Sequence, residues 1–214
     1  MARIKTQTGE YYHVFNRGVE KRKIFLSEED YQRFILCLKE FNCPEPVYSL
    51  YRMAQLPVEV KPLRKGKLVE IVTYCLNPNH FHLILKQVAP NGVSEFMKRL
   101  GVGYTGFFNY KNKRSGVLFQ GSYKLVHIKS TAHLLYLSAY VSDNYFIHGY
   151  SGKKREVWKY SGLAEYTGQS KAALCSKGLI KEHFKDFKGY YDYVRENALY
   201  MKDKKEFEEY LIES

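Results

Sequence analysis

Proline is scarce and unevenly spread. There are six in 214 residues, and four of them (Pro44, Pro46, Pro57 and Pro62) fall between 43 and 68. Outside that stretch little forbids regular helix or strand. Cysteine is scarcer still: Cys37, Cys43, Cys75 and Cys175 form no CxxC pair and show no regular spacing. That excludes a sequence-legible zinc knuckle and leaves reduced packing residues. No apolar run approaches the ~20 residues needed to span a bilayer. The opening Met-Ala-Arg-Ile-Lys-Thr-Gln lacks the apolar core of a secretory signal, so a cytoplasmic setting with no membrane partner is expected. Internal repeats and low-complexity tracts are also missing.

Positive charge and aromatic rings are abundant. Thirty-four Lys and Arg against 22 Asp and Glu give a formal charge of +12, and there are 20 tyrosines and 13 phenylalanines. Lys and Arg neutralise phosphates while aromatic rings stack on unpaired bases, so the mixture suits a single-stranded nucleic acid. A solvated basic face on an ordinary globular protein is the competing reading.

Periodicity divides the chain. Tyr11-Tyr12-His13-Val14-Phe15-Asn16 reads as a strand ending at Arg17-Gly18. Ser27 caps a helix with Glu28, Glu29 and Asp30 in its first turn and Phe34, Ile35, Leu38 and Phe41 along one stripe. Residues 43–68, which close on Arg64-Lys65-Gly66-Lys67, read as an insertion or long loop with a short strand near Val47–Tyr51. Val69–Leu76 and His80–Leu85 flank Asn77-Pro78-Asn79 and predict an antiparallel hairpin. Ser94 opens a helix carrying Phe96, Met97, Leu100, Tyr104, Phe107 and Phe108, Tyr123–Ile128 is a strand, and Thr131–Tyr145 is a helix. Short helices are expected near 178–188, 189–199 and 203–212. The order predicts an α+β domain over 1–148 with a largely antiparallel sheet, followed by a mixed, mostly helical basic extension over 149–214.

His80 and His82 lie two apart on a strand, so both imidazoles project from one face and can chelate a single divalent ion. Two histidines at a half-exposed strand end would look the same. On the 131–145 helix, Tyr136, Tyr140 and Asn144 follow at i, i+4 and i+8. A phenol there can serve as nucleophile and an amide oxygen as a metal donor, although chance alone supplies such pairs in so tyrosine-rich a chain. Asp143 is a rival ligand and Tyr136 a rival nucleophile. His13 reads as a packed strand histidine, and His127, His133, His148 and His183 as ordinary ones.

Taken together these segments resemble a known family. Leu76-Asn77-Pro78-Asn79-His80-Phe81-His82-Leu83-Ile84-Leu85 is similar to the His-hydrophobe-His segment of IS200-like single-tyrosine transposases, and most of all to the REP-associated tyrosine transposases. Tyr12-His13-Val14-Phe15-Asn16-Arg17-Gly18, Gly116–Lys124 and Tyr140-Val141-Ser142-Asp143-Asn144 resemble further family segments in the same order, so that the resemblance runs from about residue 10 to 148. It implies a ferredoxin-like fold of the HUH endonuclease type. It also implies a metal-dependent endonuclease and strand transferase acting on single-stranded or hairpin DNA. His80, His82 and Asn144 would hold Mg²⁺ or Mn²⁺, and Tyr140 would be the nucleophile. From their charge and position Arg17, Lys111, Lys113, Arg114 and Lys124 read as phosphate contacts, although a basic turn is often only a solubilising one. Family members build their sites within one chain or between two, so a homodimer is one expected state. Two positions depart from the family pattern: Tyr145 stands where proline is usual, and Ser122 where arginine is usual. The alternative function is a domesticated protein that grips hairpin DNA or RNA without cutting. A replication initiator or relaxase of the wider HUH group would ordinarily need further domains.

Overall fold

The computed structural model describes residues 5–47, 50, 65–152 and 155–213. Most of the proposed strand near Val47–Tyr51 and most of the proline-rich stretch lie outside them. Strand β1 (Tyr11–Arg17) leads through a 3-10 turn at Val19–Lys21 to helix α1 (Glu28–Glu40). The hairpin β2 (Val69–Asn77) and β3 (His80–Gln87) follows, then α2 (Gly92–Lys111) and β4 (Lys124–Ile128). All four strands pair antiparallel in the order β2-β3-β1-β4. A βαββαβ chain with that strand order is ferredoxin-like, as expected.

Local chemistry starts the helices. At α1 the Asp30 carboxylate accepts from the backbone N–H of Leu26 (2.6 Å) and Ser27 (3.0 Å), satisfying two donors at the helix entrance. Helix α2 begins earlier than the Ser94 cap predicts, behind Asn91. Gly92 is pressed against the Leu68 carbonyl, where a Cβ would sit 2.2 Å from the oxygen, so only glycine fits that first turn.

The strands alternate, and each face of the sheet has its own covering. Tyr12, Val14, Phe81, Leu83 and Leu85 point toward α1 and α2, joining Phe34, Leu38, Phe96, Leu100 and Tyr104 in one apolar core. Helices α3 (Thr131–Ser142) and α4 (Asn144–Ile147) cover the opposite face. The expected single helix over 131–145 is therefore two helices. They part at Asp143, whose φ of −116° and ψ of 23° leave the helical region.

The chain after 148 packs back on this second layer through α5 (Gly162–Tyr166), α6 (Gly178–His183) and α7 (Phe187–Glu213). The two helices expected near 189–199 and 203–212 are one continuous helix, because Tyr190, Val194, Ala198 and Met201 keep a single buried stripe running. This region also closes the β2 edge: Leu76 N–H donates to Tyr160 O (3.0 Å), Ser176 N–H to Ile71 O (2.7 Å) and the Tyr166 hydroxyl to Val72 O (2.6 Å). Pairing of that kind protects an edge strand from foreign strands. Among the described residues no helix is long and apolar enough to cross a membrane.

Candidate active site

Strand register gathers the polar residues on the α3–α4 face. His80 lies between Asn77 of β2 and Arg17 of β1, and His82 between Cys75 and Phe15, with Lys124 of β4 beyond Phe15. The two imidazole rings share that face, with centroids 5.1 Å apart and planes at 87°.

Each histidine is held by its other nitrogen. His80 Nδ1 donates to Asn79 Oδ1 at 2.6 Å; since that oxygen can only accept, the lone pair is on Nε2. Nε2 faces Asn77 Nδ2 at 2.9 Å and Asn144 Oδ1 at 3.3 Å, and Asn77 Nδ2 also donates to Asn144 Oδ1 at 2.7 Å. His82 Nδ1 bonds His13 Nε2 at 2.9 Å, deep in the sheet. Burial, reinforced by the charge of His133, brings His13 down to about 4. Burial and then the neighbouring His13, His80 and His148 hold His82 well below the usual histidine range. His13 and His82 are therefore neutral at pH 7, the state in which imidazole binds metals.

Two acceptor atoms, His80 Nε2 and Asn144 Oδ1, thus converge with only one amide between them, and His82 stands alongside. Neutral imidazole and amide oxygen suit Mg²⁺, Mn²⁺ or another first-row divalent ion. Asn144 is fully buried and its Nδ2 has no hydrogen-bond partner, so this amide is placed by the fold rather than by solvation. Among the described residues no three His, Cys, Asp or Glu side chains converge as a metal-binding group. The residues present fit a divalent ion.

Tyr140, on the last turn of α3, is half-buried and meets the His82 ring edge-on at 5.7 Å and the His13 ring at 6.3 Å. Burial pushes its phenol above the ordinary tyrosine range, and the nearby Asn144 side chain opposes the rise. Tyr136, one turn earlier, is 40% exposed. Asp143 is only 2% exposed, and its carboxylate is taken up by Arg195 Nη1 at 2.9 Å and Arg155 Nη2 at 3.4 Å, which turns it away from a ligand's role.

The expected phosphate contacts separate into two groups. Arg17 and Lys124 are exposed at the histidine face; Arg17 Nε is steadied by Gln120 Oε1 at 2.6 Å and Lys124 lies 5.9 Å from the Phe15 ring. Lys113 is exposed on the turn after α2. Lys111 instead sets its ammonium 2.7 Å from buried Asp30 and 2.8 Å from Glu29, bracing α2 on α1. Arg114 ties down the same turn through Asn109 and the Val117 carbonyl.

Several residues around the site escaped the sequence reading. Asn77 and Asn79 looked like turn residues and in fact hold His80. The His148 ring lies 5.0 Å from that of His80, and Tyr150 donates to Asn79 Oδ1 at 3.3 Å. The one available signal for His148 was its position four residues after Asn144. Tyr145 stacks on Trp158 at 4.0 Å, and Trp158 in turn donates to Leu76 O at 2.7 Å.

The family model "Transposase IS200 like" matches residues 55–144, the span that contains both histidines, Tyr140 and Asn144. Over that span the chain is similar to IS200-like transposases. In fold it is similar to a REP-associated tyrosine transposase solved bound to a REP hairpin: TM-score 0.50, 14% identity, covering 79% of this chain and 85% of that one. A transposase structure from Deinococcus radiodurans overlaps more loosely, with TM-score 0.36 and 14% identity over 63% of this chain and 89% of that one. No curated protein matches the chain in sequence.

Proposed function

We propose that this transposase domain cuts and rejoins single-stranded DNA beside a hairpin, with Tyr140 as nucleophile and His80, His82 and Asn144 as the ligands of Mg²⁺ or Mn²⁺. The observation that carries the reading is the meeting of three separate elements. His80 Nε2 from β3 stands 3.3 Å from Asn144 Oδ1 at the start of α4, and the Tyr140 ring of α3 lies 5.7 Å from His82. Random tyrosines and asparagines have no reason to converge on a histidine pair.

Bound there, a divalent ion would supply positive charge to a phosphate and to a phenol losing its proton. The protein's own part is placement. Asn79 and His13 bond the nitrogens that face away from the cleft, which keeps both rings from swinging, and the Asn79 oxygen also fixes the His80 tautomer. Tyr140 Oη attacks phosphorus, the P–O3′ bond breaks, the phenol proton leaves, and the departing 3′ oxygen takes one up. The product is a 5′-phosphotyrosine and a free 3′-OH. Because the new ester conserves the energy of the broken one, a second 3′-OH can reverse the step without ATP. Burial, with Cys75 adding to it, raises the Tyr140 phenol, so this nucleophile needs neighbouring positive charge rather than a dry pocket. Arg17, Lys124 and Lys113 are the phosphate contacts of the proposal; Lys111 and Arg114 contribute first to the fold. The REP hairpin seen with the structural relative makes hairpin-bearing single strands the substrate to try first.

The test is chemical. Protein, Mg²⁺ and a hairpin-bearing single strand are combined and resolved on a denaturing gel. A covalent protein–DNA band that disappears in Tyr140→Phe supports the reading. Tight hairpin binding with no band under any metal would favour the non-cutting alternative instead.

A further inference from the structure

The break at Asp143 separates the proposed nucleophile from the proposed amide ligand, and α7 touches the chain on both sides of it. On the α3 side Tyr190 shares a hydrogen bond with Ser142 Oγ at 2.9 Å and reaches Ser138 O at 3.4 Å, and Val194 packs with Ala139. On the α4 side Ala198 and Met201 pack against Phe146 and Ile147. At the break itself Arg195 Nη1 holds the Asp143 carboxylate at 2.9 Å.

Arg155 completes the arrangement. Its Nη2 lies 3.4 Å from the same carboxylate oxygen and 2.7 Å from Arg195 O, while Arg195 Nη2 donates to Arg155 O at 3.0 Å. The Arg155 guanidinium also covers the Phe146 ring at 3.9 Å. Each arginine thus binds the other's carbonyl and the shared carboxylate. The Nε atoms of both are buried without a partner, and two guanidiniums surround one carboxylate. Such a cluster is a poor source of stability, since desolvating three charges offsets most of their attraction. What it does supply is geometry. Asp143 O accepts from both Phe146 N (3.0 Å) and Ile147 N (3.1 Å), so the residue clamped by side chain also sets the first turn of α4 by backbone. An uninterrupted helix would stack Asn144 one turn above Tyr140 on the same face. Across the break Asn144 keeps its place beside the Tyr140 phenol and also reaches Asn77 and His80 across the sheet.

We infer that Arg195 and Arg155, with Tyr190, form a positioning splint through which α7 fixes Asn144 and Tyr140 relative to the histidine pair. The segment after 148 is then a working part of the DNA-processing site. The inference rests on the function proposed above, and its test separates the two.

The full chain is compared with Arg195→Met, Arg195→Lys and Tyr190→Phe in three measurements: hydrogen exchange of amides 139–148, Mn²⁺ affinity by calorimetry, and single-turnover cleavage alongside hairpin affinity. Arg195→Met should lose exchange protection at 139–148 while the strands keep theirs. It should bind Mn²⁺ ~10-fold more weakly and slow cleavage at least as much, with hairpin affinity within about twofold. Arg195→Lys should fall between, since it keeps the charge and loses the fork. Tyr190→Phe removes one hydroxyl, preserves packing, and should show the same pattern more weakly; it carries the test if the arginine variants fail to fold. Unchanged protection and unchanged Mn²⁺ affinity in folded variants would overturn the splint, as would a cleavage loss that only tracks the unfolded fraction. If the wild-type protein makes no adduct, the proposed function fails, while the exchange measurement still decides the splint.

Discussion

Phe81 and His82 are neighbours on one strand and live in different chemistries. Phe81 sits with Phe34 and Phe119 in the apolar layer under α1 and α2. His82 faces the other way, bonded to His13 and edge-on to Tyr140. The α1–α2 face is mainly an apolar core, with Asp30 and Gln87 as its buried polar exceptions. The α3–α4 face spends buried positions on His13, His82, Asn77, Asp143 and Asn144, each with a specific partner. Burying polar groups is costly unless they are paired, so a face built this way points to function, and a period of two residues is enough to keep the two roles apart.

The sharpest way to break the comparison is Tyr140→Phe. Cleavage and adduct should fall by ~10⁴-fold or more, with hairpin affinity within about twofold because only a hydroxyl is lost; Tyr136→Phe should keep activity. Adjacent alanine substitutions come next. His82→Ala should cost ~100-fold or more in Mn²⁺ affinity by calorimetry with a small change in stability. Phe81→Ala should cost ~3–5 kcal/mol in urea unfolding while the folded fraction binds metal normally. If the two variants lose the same thing, the two faces do not divide the labour.

Acid should weaken one face first. His13 is at about 4 in the folded protein against ~6.5 for a free imidazole. A base lowered by folding contributes stability that is present above ~6.5 and is lost as pH falls toward 4, because the unfolded chain takes up the proton first. Urea midpoints should therefore drop between pH 6.5 and 4, by on the order of 3 kcal/mol for this group, with buried His82 acting in the same direction. His13→Leu should flatten that part of the curve. The smallest effect expected is at the rim. Lys124→Ala or Lys113→Ala should each reduce the salt dependence of hairpin binding by about one unit of slope. Lys111→Ala should lower stability instead, since its ammonium holds Asp30 and Glu29.

Sequence alone determined the alternation and therefore the face. A strand written His-Phe-His must put both imidazoles on one side and the ring between them on the other, and the turn residues at Pro78-Asn79 close that strand against its neighbour. Local rules of this kind also made the capped start of α1 and the α+β order legible. Tertiary structure decided everything that joins residues far apart in the chain. Sequence predicts an unbroken helix through 131–145, since nothing in Ser142-Asp143-Asn144 forbids one; the break exists where Arg155 and Arg195 reach Asp143 from 12 and 52 residues away. Asn77 became a clamp for His80 and Asn144, Lys111 became a brace, and Tyr190 to Met201 became one helical stripe, each because of a partner that no periodicity can announce. Hydrogen bonds and ion pairs act over a few ångströms in space, whereas sequence patterns report only neighbours along the chain.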